Sequence, residues 1–247
     1  MLASSTTHVK GNLKVWLKDA KLAASLPFRS RNGQIEALSQ LSGSMNVRGM
    51  YNLAFAKSIP SQKRKLYASM CLAISAKIDI KLAKLYASQG KYDNAILKCT
   101  EACAFLKKIG KSQLLPMAWE EYYKGKICEK MGKDFLLAAA HMEVSHKLFL
   151  QAKKTMKALS IMEEAISVLE RCGYFKEAQQ KCESMAAYHV NHNNFLEAAR
   201  FFNMASEMSQ DKEMAFAYTT LADKYLEIVN RAQQMQNLDT FPWQNIR

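Results

Sequence analysis

Residues 173–208 read GYFKEAQQKCESMAAYHVNHNNFLEAARFFNMASEM, and they contain the same short pattern twice. In each copy a turn residue, Gly173 or Asn193, is followed two residues later by phenylalanine and five residues later by alanine. Glycine and asparagine accept the left-handed backbone conformation that ends a helix. The small alanine then allows two helix backbones to approach closely. The stretch therefore predicts two helices joined in a tight antiparallel hairpin.

The pattern extends over much of the chain. Gly90 is followed by Tyr92 and Ala95, and alanines recur at intervals of twenty residues at Ala118, Ala138, Ala158, Ala178 and Ala198. A helix of about 15–18 residues with a short turn fits a unit of that length. The sequence predicts helices near 11–25, 31–42, 62–89, 92–109, 113–131, 134–151, 154–171, 174–190, 194–208 and 211–235. The predicted fold is all-α, an α-solenoid of antiparallel helical hairpins with about 20 residues per helix unit.

The composition is that of a folded domain without a membrane span. Of 247 residues, 49% are hydrophobic and only 9 are glycine and 4 proline, which excludes wholesale disorder. Lysine or glutamate interrupts every apolar run before it reaches the length of a spanning helix. The first residues lack the apolar core of a secretory signal, and the six cysteines are scattered. We therefore expect a cytoplasmic protein with reduced thiols.

The formal net charge of +13 is distributed unevenly along the sequence. Residues 1–65 carry +9, residues 66–159 carry +8 and residues 160–247 carry −4. A strongly basic region favours acidic partners. We therefore expect the binding surface for an acidic partner to lie in the first two thirds of the chain.

The repeats resemble a known superfamily. Leu82, Ala83, Tyr86, Gly90, Tyr92, Ala95, Cys99 and Ala102 fall on the small and large positions of a tetratricopeptide repeat (TPR). The stretch from Gly173 is similar to the hairpins of soluble NSF attachment proteins (SNAPs) in length, turn placement and aromatic-x-x-Ala anchors. This resemblance implies a TPR or SNAP-like helical-repeat domain over residues 61–235. It would follow a basic helical cap at 1–60 and precede a tail at 236–247.

Catalytic and metal-binding patterns do not stand out in the sequence. There is no glycine-rich phosphate loop, GxSxG or HExxH motif. The most suggestive metal set is Cys172, Cys182, His189 and His192, but structural zinc normally uses more closely spaced cysteines. We predict no enzyme activity, no cofactor and no metal.

The predicted function is therefore a non-enzymatic scaffold or adaptor for protein–protein interaction, as a subunit of a larger assembly. The partner is expected to be another protein with an acidic surface, contacted by Lys63, Arg64, Lys65, Lys124 and Lys126. Alternatives are a SNAP-type adaptor for SNAREs and vesicle trafficking, a peripheral contact with an acidic membrane, and a basic helical-repeat RNA-binding protein. Nucleic acid is the less favoured partner, because the aromatic residues fall at core spacing. The methionines are likewise predicted to fill the core.

Overall fold

Helices make up nearly all of the described part of the protein, which is residues 19–20, 22–58, 62–132 and 134–239 of a computed structural model. No strand occurs in these residues. A 3-10 turn at Leu26–Phe28 precedes nine α-helices within the same ranges: α1 (Arg31–Ser58), α2 (Gln62–Ser88), α3 (Tyr92–Lys108), α4 (Leu114–Met131), α5 (Phe135–Gln151), α6 (Thr155–Arg171), α7 (Phe175–Asn191), α8 (Phe195–Met208) and α9 (Lys212–Asp239). The predicted all-α class is confirmed, whereas the TPR or SNAP-like type of repeat stays a prediction.

The turns between helices use the left-handed residues that the sequence indicates. Gly90, Gly132, Gly173 and Asn193 all have φ between 56° and 79°. At Gly173 the backbone N–H groups of Gly173 and Tyr174 donate to the last carbonyl oxygens of α6, which satisfies groups that a helix end leaves open. Lys153 adopts the same conformation, with φ of 56°, although its sequence gives no turn signal.

The alanines that recur every twenty residues, which we call the alanine ladder, lie where helices pack closely. Ala138, Ala158, Ala178 and Ala198 are each the fourth residue of their helix, in α5, α6, α7 and α8, and each is completely buried. Ala118 on α4 is also completely buried. A larger side chain at these positions would push neighbouring helices apart, so the regular spacing reflects the same close contact made once per helix.

The helices form two compact units, and the first consists of the described residues up to 127 together with 147–155. Within it α1 and α2 approach closely at Gly49, where an added Cβ would lie 2.6 Å from Cγ of Leu72. The prediction that the helix beginning at residue 31 ends at 42 is wrong, because α1 continues to Ser58 through Gly43 and Gly49. Gly49 is used for close packing rather than for a turn.

The second unit consists of the described residues within 128–146 and from 156 onward. Here side chains join each helix to the helix two positions further along. Glu143 on α5 accepts from Lys181 on α7 at 2.6 Å, and Glu163 on α6 pairs with Arg200 on α8. Contacts between helices two apart are expected when hairpins stack on one another.

The proposed division at residues 60 and 235 stays a prediction. Residues 1–18, most of the basic face of the cap, and 240–247, most of the tail, lie outside the described residues. The helix predicted near 11–25 is therefore described only at 19–20 and 22–25. None of the described helices is long and apolar enough to span a membrane.

Candidate functional site

The five predicted contact residues lie on two helices of the first unit. Arg64 and Lys65 are the third and fourth residues of α2 and are exposed to solvent. Lys63 precedes them, and its side chain lies outside the described part of the protein. Lys124 and Lys126 belong to α4, where both are half-buried. Of the four predicted contact residues whose side chains the structure describes, Arg64 and Lys65 at the start of α2 are the exposed ones.

Lys124 is committed to acids on its own helix. Its Nζ lies 2.7 Å from Oε1 of Glu121 and 3.1 Å from Oε1 of Glu120. Burial disfavours the charged form of Lys124, but its hydrogen bonds to the two glutamates outweigh that effect and raise its pKa. Much of its charge is already balanced and its side chain is half-buried, whereas Arg64 and Lys65 are exposed, which makes Lys124 a weaker candidate for a partner contact.

An apolar row that sequence reasoning missed continues from the two exposed cations of α2. Leu66, Met70 and Ile74 lie four residues apart on one side of the helix, and Leu66 and Met70 are 65% and 54% exposed. Lys77 and Lys81, further along the helix, are exposed as well. We call Arg64, Lys65, Leu66, Met70 and Ile74 the α2 face. It combines positive charge with large apolar side chains open to solvent.

The expectation that methionines fill the core holds for only some of them. Met142, Met162 and Met185 are buried, but several others stand in solvent: Met50, Met70, Met117, Met131, Met156 and Met214. Helical spacing shows which residues share a side of a helix but not which side faces a neighbour. The sequence marks the start of α2 through the cluster Lys63-Arg64-Lys65, but not the apolar row that follows it.

An open cavity of about 430 Å³ lies between α1 and α3 in the first unit. It is lined by Ser39, Ser42, Gly43 and Asn46 from α1 and by Lys98, Glu101 and Phe105 from α3. Nζ of Lys98 lies 2.6 Å from Oε2 of Glu101. A Cβ added to Gly43 would meet no atom within 4 Å, so the cavity remains open beside this residue.

A buried carboxylate lies beside this cavity. Asp79 on α2 is completely buried, and its Oδ1 accepts a hydrogen bond of 2.7 Å from the hydroxyl of Ser42. Because the single hydroxyl hydrogen of Ser42 goes to Asp79, the Ser75 hydroxyl donates in turn, to Oγ or the carbonyl oxygen of Ser42 at 2.9 and 3.2 Å. Oδ2 of Asp79 has no hydrogen-bond partner.

The environment of Asp79 disfavours its ionised form. Burial raises the pKa of this carboxyl from 3.8 to about 6, against the opposing effects of the Ser42 hydrogen bond and the positive charge of Lys98. The charge of Glu101 adds to the rise. Asp79 is thus mostly ionised at neutral pH although its second oxygen is not satisfied.

No group of three or more His, Cys, Asp or Glu side chains in the described ranges is arranged to hold a metal ion. Cys182 and His189 are buried on α7, where burial raises the pKa of the thiol to about 12 and lowers the pKa of the imidazole. Cys172 and His192 lie in turns outside the helices. Nothing in these parts of the chain suggests a metal centre.

Comparisons with known proteins give no family for this chain. No protein family model matches it, and no curated protein matches it. Among solved structures, a chain of the DHF58 filament is 18% identical over 90% of this chain and 97% of that chain, with a TM-score of 0.30. BtubC from P. vanneervenii is 14% identical over 85% and 95% of the two chains, with a TM-score of 0.26. Likenesses this distant carry no argument about function.

Proposed function

We propose that this protein is a non-enzymatic scaffold for protein–protein interaction, built from TPR or SNAP-like helical repeats and working in the cytoplasm. Its partner docks on the α2 face through an acidic surface that surrounds an apolar strip. The protein then acts as an adaptor or subunit within a larger assembly.

The α2 face is the observation that carries this proposal. Three large apolar side chains in a row on a helix leave hydrophobic surface in contact with water, and burying such surface favours association by about 25 cal/mol per Å². Anchors four residues apart suit a partner helix laid along the row. Arg64 and Lys65 lie beside the anchors, where they would attract acidic residues and speed the encounter.

The balance of charge supports the choice of an acidic partner. The first 65 residues carry +9, so a basic partner would be repelled from this part of the chain. The acids nearest to Lys124 neutralise that side chain within α4. Arg64 and Lys65 at the start of α2 are exposed to solvent, where a partner can reach them.

The test is a binding comparison between two double charge reversals. Arg64→Glu with Lys65→Glu changes the α2 face, and Lys153→Glu with Lys154→Glu makes the same change of charge at an exposed turn. Glutamates in the first turn of α2 complement the helix dipole, so the fold should persist. We expect partner recovery from a cell extract to fall at least tenfold with the first variant and to stay within twofold with the second. Equal recovery with both variants would contradict the proposal.

The same preparation distinguishes direct protein binding from the RNA-binding and membrane-contact alternatives. Retention of the partner after RNase treatment and in detergent supports direct protein binding. Loss of the partner after RNase treatment would favour the RNA-binding alternative, and retention of the protein on acidic liposomes without any partner would favour a membrane contact. Electrostatic binding of every kind should weaken as salt increases, so each comparison is made at one ionic strength.

A further inference from the structure

The exposed side of α2 continues beyond the apolar row of Leu66, Met70 and Ile74. Lys77 and Lys81 are both exposed and follow Ile74 by three and seven residues. At 3.6 residues per turn, all five side chains leave the helix within an arc of about 80°. One side of α2 therefore carries three large apolar side chains and then two cations in line with them.

The surface of α2 is basic and has no acid to balance it. Gln62–Ser88 contains a single acid, Asp79, and that side chain is completely buried. Within the described part of the chain, neither Lys77 nor Lys81 takes part in an ion pair. Their charges are available to a partner, and they complement negative charge on it.

The apolar row and the two lysines match the length of a short helix. Residues 66 and 81 are 15 positions apart, which is about 22 Å along the helix axis. Apolar side chains spaced one turn apart suit a second helix that lies along the row. Acids on the same side of that helix, one and two turns beyond its apolar residues, would then lie over Lys77 and Lys81.

The arrangement favours a protein helix over a membrane or RNA. A helix that lies in a membrane surface keeps its cations on the face opposite the apolar one, whereas Lys77 and Lys81 fall in the same arc as the apolar row. Proteins that bind single-stranded RNA stack its bases on aromatic side chains, and the row consists of aliphatic side chains and a methionine.

We propose that α2 binds an amphipathic helix of a partner protein, whose contact side is apolar in one half and acidic in the other. The apolar half packs on Leu66, Met70 and Ile74, and the acidic half pairs with Lys77 and Lys81. This inference rests on the proposed function, because it uses the same α2 face. It adds the kind of segment that binds there and the two lysines that fix its position along α2.

The experiment measures the binding of fluorescent helical peptides to the intact protein by anisotropy. The first peptide has leucines at positions i, i+4 and i+8 and glutamates at i+11 and i+15, and the second has this order reversed, so that both directions are represented. A third peptide keeps the composition but has its glutamates on the opposite side of the helix. We expect the first or the second peptide to bind saturably, and the third to bind at least tenfold more weakly.

A charge exchange tests whether the two lysines contact the peptide. Lys77→Glu with Lys81→Glu should weaken binding at least tenfold. Lys107→Glu with Lys111→Glu changes two exposed lysines that are also four residues apart, and it should change binding less than twofold. A peptide with lysines in place of its glutamates should bind the Lys77→Glu, Lys81→Glu variant at least tenfold more tightly than it binds the original protein. This rescue requires a folded variant, so a loss through unfolding is recognised.

Three results would overturn the proposal. The first is a lack of saturable binding of either directional peptide at about 1 mM. The second is equal binding of the peptide with displaced glutamates, and the third is a charge exchange without rescue. Tighter binding to phosphatidylserine vesicles or to polyuridine than to the peptides would also overturn it, in favour of a membrane or RNA.

Partner recovery from a cell extract separates this inference from the proposed function. Met70→Glu alters the apolar row at an exposed position, and Lys77→Glu with Lys81→Glu alters the lysines. Loss of the partner with both variants supports both proposals. Loss with Met70→Glu alone would leave the α2 face as the docking surface and overturn the pairing with the two lysines. Full recovery with both variants would contradict both proposals.

Discussion

The hydroxyl of Ser42 on α1 donates a hydrogen bond of 2.7 Å to Oδ1 of Asp79 on α2, while the second carboxylate oxygen has no partner. This contact and the hydrogen bond between Ser75 and Ser42 join the two helices inside an interface that also contains Leu38, Leu41, Met45 and Leu82. A carboxylate in this position should affect stability in a way that depends on pH.

Asp79→Asn should make the protein more stable at neutral pH. The folded-state pKa is raised from 3.8 to about 6, so the folded protein binds the proton more tightly and loses stability as pH rises between those values. Two pKa units correspond to about 3 kcal/mol. Urea unfolding should show the variant to be more stable at pH 7.5 by roughly 1–3 kcal/mol, with no gain at pH 3.5.

The control for this experiment is Asp93→Asn, which alters an exposed acid on α3. It should preserve the loss of stability between pH 4 and 6. The account of Asp79 would be wrong if Asp79→Asn were less stable than the original protein at pH 7.5 while keeping the same dependence on pH.

The alanine ladder predicts that substituting leucine for either of two alanines of α7 changes the free energy of unfolding by very different amounts. Ala178 is completely buried and Ala187 is exposed. Ala178→Leu should lower the free energy of unfolding by about 1–3 kcal/mol through overpacking, and Ala187→Leu should change it by less than about 0.5 kcal/mol. Thermal and urea unfolding of both variants measure this difference, and equal effects would refute the role of the ladder.

The left-handed backbone conformation of Lys153 predicts that glycine at this position would make the protein more stable. It is held at φ of 56°, a conformation that a residue with a Cβ adopts at a cost of about 1–2 kcal/mol and glycine adopts freely. Lys153→Gly should therefore raise stability by about 0.5–1 kcal/mol. Lys154→Gly, one residue later, should give no gain in the same melting experiment, and a gain there equal to that at 153 would contradict the explanation.

Two buried tyrosines should respond in opposite ways to loss of the hydroxyl. The Tyr123 hydroxyl is buried without a hydrogen-bond partner, whereas the Tyr218 hydroxyl donates to Glu183 and accepts from Gln179 at 3.0 Å. Tyr123→Phe should leave stability unchanged or raise it by up to about 1 kcal/mol, and Tyr218→Phe should lower it by about 1–3 kcal/mol. Urea unfolding distinguishes the two, and a larger loss for Tyr123→Phe would mean that the Tyr123 hydroxyl makes a stabilising hydrogen bond.

Sequence patterns were sufficient for most of the helices because their turns have local causes. Gly90, Gly173 and Asn193 end helices by backbone conformation alone, which a sequence displays directly. Gly49 shows the limit of that reasoning, since the same residue type serves close packing inside α1 when Leu72 of another helix lies against it. A contact between distant residues cannot be inferred from either segment by itself.

The candidate site was predictable only in part, for the same reason. The basic start of α2 is visible in Lys63, Arg64 and Lys65, and the pairing of Lys124 with Glu120 and Glu121 follows from helical spacing of four and three. The exposure of Met70 depends on which side of α2 its neighbours cover. The contact of Ser42 with Asp79 depends on how α1 and α2 are aligned, which no local pattern specifies.

Site-specific photocrosslinking in the native cell tests the proposed docking surface most directly. A photoreactive amino acid replaces Met70 on the α2 face or, as a control, Met156 on α6, which is 82% exposed. We expect position 70 to capture a protein with an acidic surface that position 156 does not, and we expect Arg64→Glu with Lys65→Glu to abolish that product. Equal products from both positions, or a position-70 product that persists after the charge reversal, would contradict the account.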